Sequence, residues 1–191
     1  MSKTRLEAFS DGVIAILITI LVLELKVPHG AELESLRPLL PVFLTYVLSF
    51  VYLGIYWNNH HHMLHLADGI NGRILWANLH LLFWLSLVPF VTGWMGENHF
   101  APLPTAAYGV VLVMAALAYT ILQVMIIRRQ GRESVLAHAV GRGRKEKASL
   151  LLYFIAIPTA LRYPAIAGAL YATVSLLWFI PDSRIEGRLE S

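Results

Sequence analysis

Six apolar stretches, each bounded by proline, glycine or charge, divide this 191-residue chain almost from end to end. They run approximately over 7–27, 41–65, 74–95, 106–127, 146–161 and 164–180. The first four approach the ~20 residues that an α-helix needs to cross the hydrocarbon core of a bilayer. Between Lys147 and Asp182 one continuous helix would be about 50 Å long, too long for a single crossing. Arg162-Tyr163-Pro164 interrupts that region, so it reads as two spans meeting at a tight turn. Both are short, which implies a thinned bilayer or burial against neighbouring helices. Because backbone groups in lipid must pair within the protein, the expected fold is an all-α membrane protein, one six-span domain over 1–191.

Composition excludes the ordinary soluble class. Hydrophobic residues make up 57% of the chain and charged residues 14%, against roughly 25% charged in soluble domains. The chain has no cysteine, so disulfides and thiolate metal sites are excluded. The apolar run after Met1-Ser2-Lys3-Thr4-Arg5 continues into Leu23-Glu24-Leu25 without a small-residue cleavage site, so it reads as a mature helix rather than a signal peptide.

Charge placement sets the expected orientation. With six spans and both termini cytoplasmic, only Lys26, Arg37 and Arg162 of the 15 basic residues fall outside. An excess of Lys and Arg on the inner side is the orientation signal of a multi-pass protein of the cell (inner) membrane. The basic loop Arg128–Lys147 is then stop-transfer charge with some attraction for anionic lipid, and nucleic-acid binding is not expected. The polar C-terminal stretch contains Ile185-Glu186-Gly187-Arg188, which also matches a protease-cleavage tag, and no function is read from it.

The first segment opens Arg5-Leu6-Glu7-Ala8-Phe9-Ser10-Asp11-Gly12, polar groups at the mouth of an otherwise apolar helix. Such groups pair inside a bundle or line a water path, because burying an ion in lipid is costly. At 100° per residue Gly12, Ile16, Thr19, Ile20 and Leu23 share one face, with Asp11 nearly opposite and Glu24 at the stripe's outer edge. Almost any apolar helix offers such a stripe, so periodicity alone does not make it a pore. Glu24 there either attracts cations weakly or is simply solvated.

The second segment ends Trp57-Asn58-Asn59-His60-His61-His62-Met63-Leu64-His65. His61 and His65, or His62 and His65, have the spacing to share a zinc ion, but no carboxylate motif accompanies them. Interhelical hydrogen bonding is the plainer account, and no metal or cofactor is assigned. In the third segment Asn78 and His80 are candidate partners for the first helix, and Pro89 is expected to kink the span. No catalytic arrangement emerges, so the chain is not read as an enzyme. The Thr-Val-Gly-Tyr-Gly loop of ordinary potassium filters is absent.

The pattern Arg5-x-x-x-Phe9-Ser10-Asp11, followed by an apolar helix ending Leu23-Glu24-Leu25, resembles the signature of the lysosomal potassium channel family called transmembrane protein 175, in its prokaryotic branch. Trp57-x-x-His60-His61 and Asn78…Phe83-Trp84…Pro89 resemble that family's second and third helices. The resemblance implies a potassium-selective leak-type channel without a filter loop, assembled as a homotetramer in the lipid bilayer. It implies that the first helix lines the pore, with Ile16 as the narrowest gate, Ile20 and Leu23 above it, and Thr19 offering hydroxyls to potassium ions. Arg5, Phe9, Ser10 and Asp11 would then pair with Trp57, His60, His61 and Asn78 to anchor that helix. The run His60–His62 departs from the family pattern and leaves open which histidine carries the network. Two other classes compete: a proton-coupled secondary transporter using Asp11 and the histidines, and a membrane metalloenzyme at His61 and His65.

Overall fold

The computed structural model describes residues 2–131, 133–140 and 143–179, and every regular element among them is helical. In chain order these are α1 (Lys3–Leu21), α2 (Leu40–His65), α3 (Gly72–Ser86), α4 (Val88–Glu97), α5 (Pro102–Gln130), α6 (Val135–Val140), α7 (Arg144–Ala160) and α8 (Pro164–Phe179). Short 3₁₀ turns occupy Val22–Glu24 and Leu33–Leu39. The runs Lys3–Glu24, Leu33–His65, Gly72–Glu97 and Pro102–Gln130 are long and apolar enough to cross a bilayer. α7 and α8 have 17 and 16 residues. The Ile185–Arg188 string and the last residue of the expected sixth stretch lie outside the described residues.

Local chemistry explains where the helices begin and break. Ser2 caps α1 by accepting a hydrogen bond from the Arg5 amide, and Asn71 caps α3 through the Ile74 amide at 3.0 Å. Pro102-Leu103-Pro104 reads as a breaker in sequence, yet it opens α5, because a helix's first turn needs no amide donor. That helix therefore starts four residues before the expected position 106. At the other break, α3 stops at Ser86 and α4 restarts at Val88 with Pro89 as its second residue. The third stretch is thus two half-helices, as the missing Pro89 donor demands.

α5 forms the spine. It packs on α3, α4, α7 and α8, with Leu112, Ala115, Ala118 and Leu122 buried completely. Directed hydroxyl chains join its neighbours. Thr92 donates to the Val88 carbonyl, so Ser49 must donate to Thr92 (2.6 Å) and Tyr108 to Ser49 (2.9 Å). Tyr153 donates to the Tyr52 hydroxyl (3.2 Å), which donates to the Tyr171 carbonyl (2.6 Å). Tyr171 in turn donates to the Thr105 carbonyl at 3.1 Å. All of these chains end on backbone carbonyls, so they act as cross-braces between α2, α4, α5, α7 and α8. Apolar side chains such as Phe43, Leu44, Phe50 and Leu176 face outward, as a lipid environment requires.

Gly109 of α5 makes one brace possible. A Cβ there would occupy the position of the Tyr171 hydroxyl. Gly109→Ala is therefore expected to lower stability by about 1–3 kcal/mol through overpacking. In a Tyr171→Phe background, where the colliding oxygen is gone and only the ring carbon at 2.8 Å must shift, the same substitution should cost less. Thermal unfolding of the four variants in detergent measures the difference.

Candidate functional site

α1 has two distinct faces. Leu6, Ser10, Ile14, Leu17 and Leu21 are buried against the rest of the chain. Gly12, Ile16, Thr19, Ile20 and Leu23 all face outward, Ile16 being 58% and Leu23 76% exposed. The outward stripe is apolar except for Thr19. That hydroxyl donates to the Ile16 carbonyl at 2.8 Å, so its proton is engaged by the helix and its lone pairs point away from it.

Polar contacts hold α1 in this rotation. Nε2–H of His60, on α2, donates to Asn78 Oδ1 on α3 at 2.6 Å. Asn78 Nδ2 donates to Ser10 Oγ at 2.9 Å, and Ser10 donates to the Leu6 carbonyl at 2.9 Å. The carbonyl oxygen of Asn78 can only accept, which fixes the direction of the whole chain and places a proton on His60 Nε2. Ser10 and Asn78 are fully buried and His60 is 1% exposed, so no water replaces a lost partner. His60 Nδ1 has no partner among the described residues.

A second contact lies beside the first. Trp57 Nε1–H donates to Asp11 Oδ1 at 3.0 Å. Near the start of the helix, the Lys3 ammonium donates to the His65 carbonyl at 2.6 Å, a tie with no sequence signal because its acceptor is backbone. Asp11 shares no hydrogen bond with the His60–Asn78–Ser10 chain, so among the described residues the two do not make a continuous proton relay.

Several expected participants stand elsewhere. His61 is exposed and stacks between Trp57 and His65, with ring centroids 6.2 and 6.3 Å away, so it supports Trp57 rather than joining the hydrogen-bond chain. His80 accepts from Trp84 one turn along its own helix, at 2.9 Å. Arg5 and Phe9 are exposed, and the Arg5 guanidinium has no partner among the described residues. Among these residues no three His, Cys, Asp or Glu side chains converge on a common point.

Glu24 departs from its expected place at the stripe's edge. On an ideal α-helix it lies roughly 80° from Ile16. The 3₁₀ turn at Val22–Glu24 has about three residues per turn, which stacks residue i+3 over residue i. Glu24 is thereby carried over buried Leu21 and lies against Gly93 of α4, where its carboxyl carbon is 2.9 Å from the position of a Cβ at residue 93. Beyond it the Lys26 ammonium pairs with Glu97 at 2.5 Å. Hydrogen bonding and charge attraction from Glu97, with a smaller contribution from Glu24, raise the pKa of Lys26 above its ordinary value.

Comparison with known proteins bears on this geometry. The family described as endosomal/lysosomal potassium channel TMEM175 matches residues 5–89, a range opening at Arg5 and closing at Pro89. A potassium channel of Chryseobacterium sp. (strain P1-3) is 56% identical over 190 residues, covering 100% of this chain and 99% of its own. The endosomal/lysosomal proton channel TMEM175 of Gallus gallus is 44% identical over 73 residues, 32% of this chain and 15% of its own. The crystal structure of a lysosomal potassium-selective channel TMEM175 homolog from Chamaesiphon minutus superposes with a TM-score of 0.81 at 25% identity, covering 94% of this chain and 97% of that one.

Asn78→Ala strands the buried His60 Nε2–H and removes Ser10's donor. It is expected to destabilise the fold by about 2–4 kcal/mol, since each buried orphan costs about 1–3 kcal/mol. Trp57→Phe, at a half-exposed indole, should cost about 1 kcal/mol. Thermal unfolding in detergent ranks the two, and an equal cost would contradict the difference in burial.

Proposed function

The chain belongs to the TMEM175 family and is a potassium channel rather than an enzyme, and we propose from its geometry that α1 lines the conduction path. Four copies surround one pore in the cell membrane, each crossing it six times with both termini cytoplasmic. The crossings are α1, α2, the α3–α4 pair, α5, α7 and α8. Ile16 forms the narrowest ring, Ile20 and Leu23 continue the apolar path outward, and Thr19 presents hydroxyl oxygens to partly dehydrated potassium ions. An apolar ring of this kind gates by dewetting, and no Thr-Val-Gly-Tyr-Gly loop is needed.

The observation that carries this reading is the fixed rotation of α1. A helix at the rim of a bundle can have its rotation set by apolar packing alone. This one is held by a buried hydrogen-bond chain through Ser10 and a second contact through Asp11. Both sit on the sides away from Ile16, so the outward stripe is the face the fold goes to some length to present. Ser10 and Asp11 thus act as anchors, and the ion meets the stripe beside them.

Purified protein in planar bilayers should pass potassium passively, with a bi-ionic reversal potential favouring potassium over sodium. Thr19→Ala should lower the permeability ratio by about three- to tenfold, the equivalent of one lost polar contact, and Ile16→Ala should raise the current. Flux coupled stoichiometrically to protons would overturn the channel reading in favour of a transporter.

A further inference from the structure

We propose that Glu24 is a positioning residue of the pore: its carboxylate, seated on Gly93, clamps the outer end of α1 to α4 and sets where Leu23 stands. This rests on the reading of α1 as the pore-lining helix. The charge of Glu24 is secondary to its seat.

Three features support the clamp. The 3₁₀ turn places Glu24 on the buried side of α1 while leaving Leu23 more exposed than Ile16 or Ile20, at 76%. Neighbouring positions on one tight turn are thereby coupled, so that moving Glu24 moves Leu23. Gly93 provides the seat, because any side chain there would displace the carboxylate. α4 is itself a firm base. Gly96 admits Thr45 and the Val42 backbone at close range, and Thr92 joins the Ser49–Tyr108 chain. The Lys26–Glu97 pair closes the same junction from outside and partly offsets the charge of Glu24.

The inner half of α1 is held by the Asn78 contact to α3, and α3 and α4 are separated by the break before Pro89. The two ends of the pore helix are therefore held by two different half-helices. The Glu24 seat is the outer counterpart of the Ser10 anchor, reached by shape rather than by a hydrogen bond.

The chain's lack of cysteine allows a direct test by single-cysteine labelling in reconstituted channels. Charged methanethiosulfonate reagent should block current through I16C and L23C. Absence of block at both positions overturns the pore reading, and the clamp with it. With block established, G93A and E24A should each change the L23C modification rate and the potassium-to-sodium permeability ratio by about three- to tenfold. E24Q, which keeps the shape and drops the charge, should rescue both quantities relative to E24A. These effects should be equal at low and high ionic strength. The opposite pattern overturns the clamp: a normal G93A channel, and an E24Q defect present at low salt and lost at high salt, where charges are screened. Should G93A fail to fold, the E24A and E24Q pair decides the question alone.

Discussion

The amide of Asn78 is the contact on which the rest of this channel depends. It accepts a hydrogen bond from His60 on α2 and donates one to Ser10 on α1, joining three helices at a point no water reaches. In lipid a buried polar group without a partner is costly, so the chain is held as a unit rather than as separate bonds. Its direction is imposed by the single acceptor oxygen of Asn78 and ends on the Leu6 carbonyl. Turning α1 by one residue, about 100°, would break it and carry Ile16 off the outward face. Which residues of α1 face outward is thus a consequence of a hydrogen bond on the other side of the helix.

The break before Pro89 gives the Gly72–Glu97 run a double duty. α3 carries Asn78 to the N-terminal half of α1, and α4 carries Gly93 to its C-terminal end. A single straight helix would have to meet α1 along one line. The interruption lets each half take its own approach, at the loss of one helical hydrogen bond. Behind them, α5 and the hydroxyl braces to α2, α7 and α8 make a stationary wall. The tyrosine and serine protons there end on carbonyls, which suits bracing.

Much of this could be read before folding. The apolar stretches and their breaks located the helices to within a few residues, since length and hydropathy leave a lipid-embedded chain few options. The α1 stripe followed from the helical period, and Ser10, Asp11, His60 and Asn78 stood out as polar residues in apolar surroundings, while Trp57 was marked only by the family resemblance. Pairing them was another matter. Which donor meets which acceptor depends on how α2 and α3 cross α1, so His61 and His60 look alike in sequence though one stacks on Trp57 and the other is buried against Asn78. The Lys3 tie to a backbone carbonyl left no trace in sequence at all.

Sequence alone determined that this chain lives in a membrane as helices and that one face of α1 is a continuous apolar stripe bearing one hydroxyl. Those properties are periodic, and a period is written in the order of residues. Tertiary structure alone decided the rotation of that stripe and the fate of Glu24. An ideal helix leaves Glu24 beside Leu23. Tightening of the last turn to 3₁₀ swings it over Leu21 onto Gly93, a residue 69 positions further along the chain. A small change in residues per turn, combined with a glycine that permits close approach, separates a glutamate at the edge of the exposed stripe from one seated against α4.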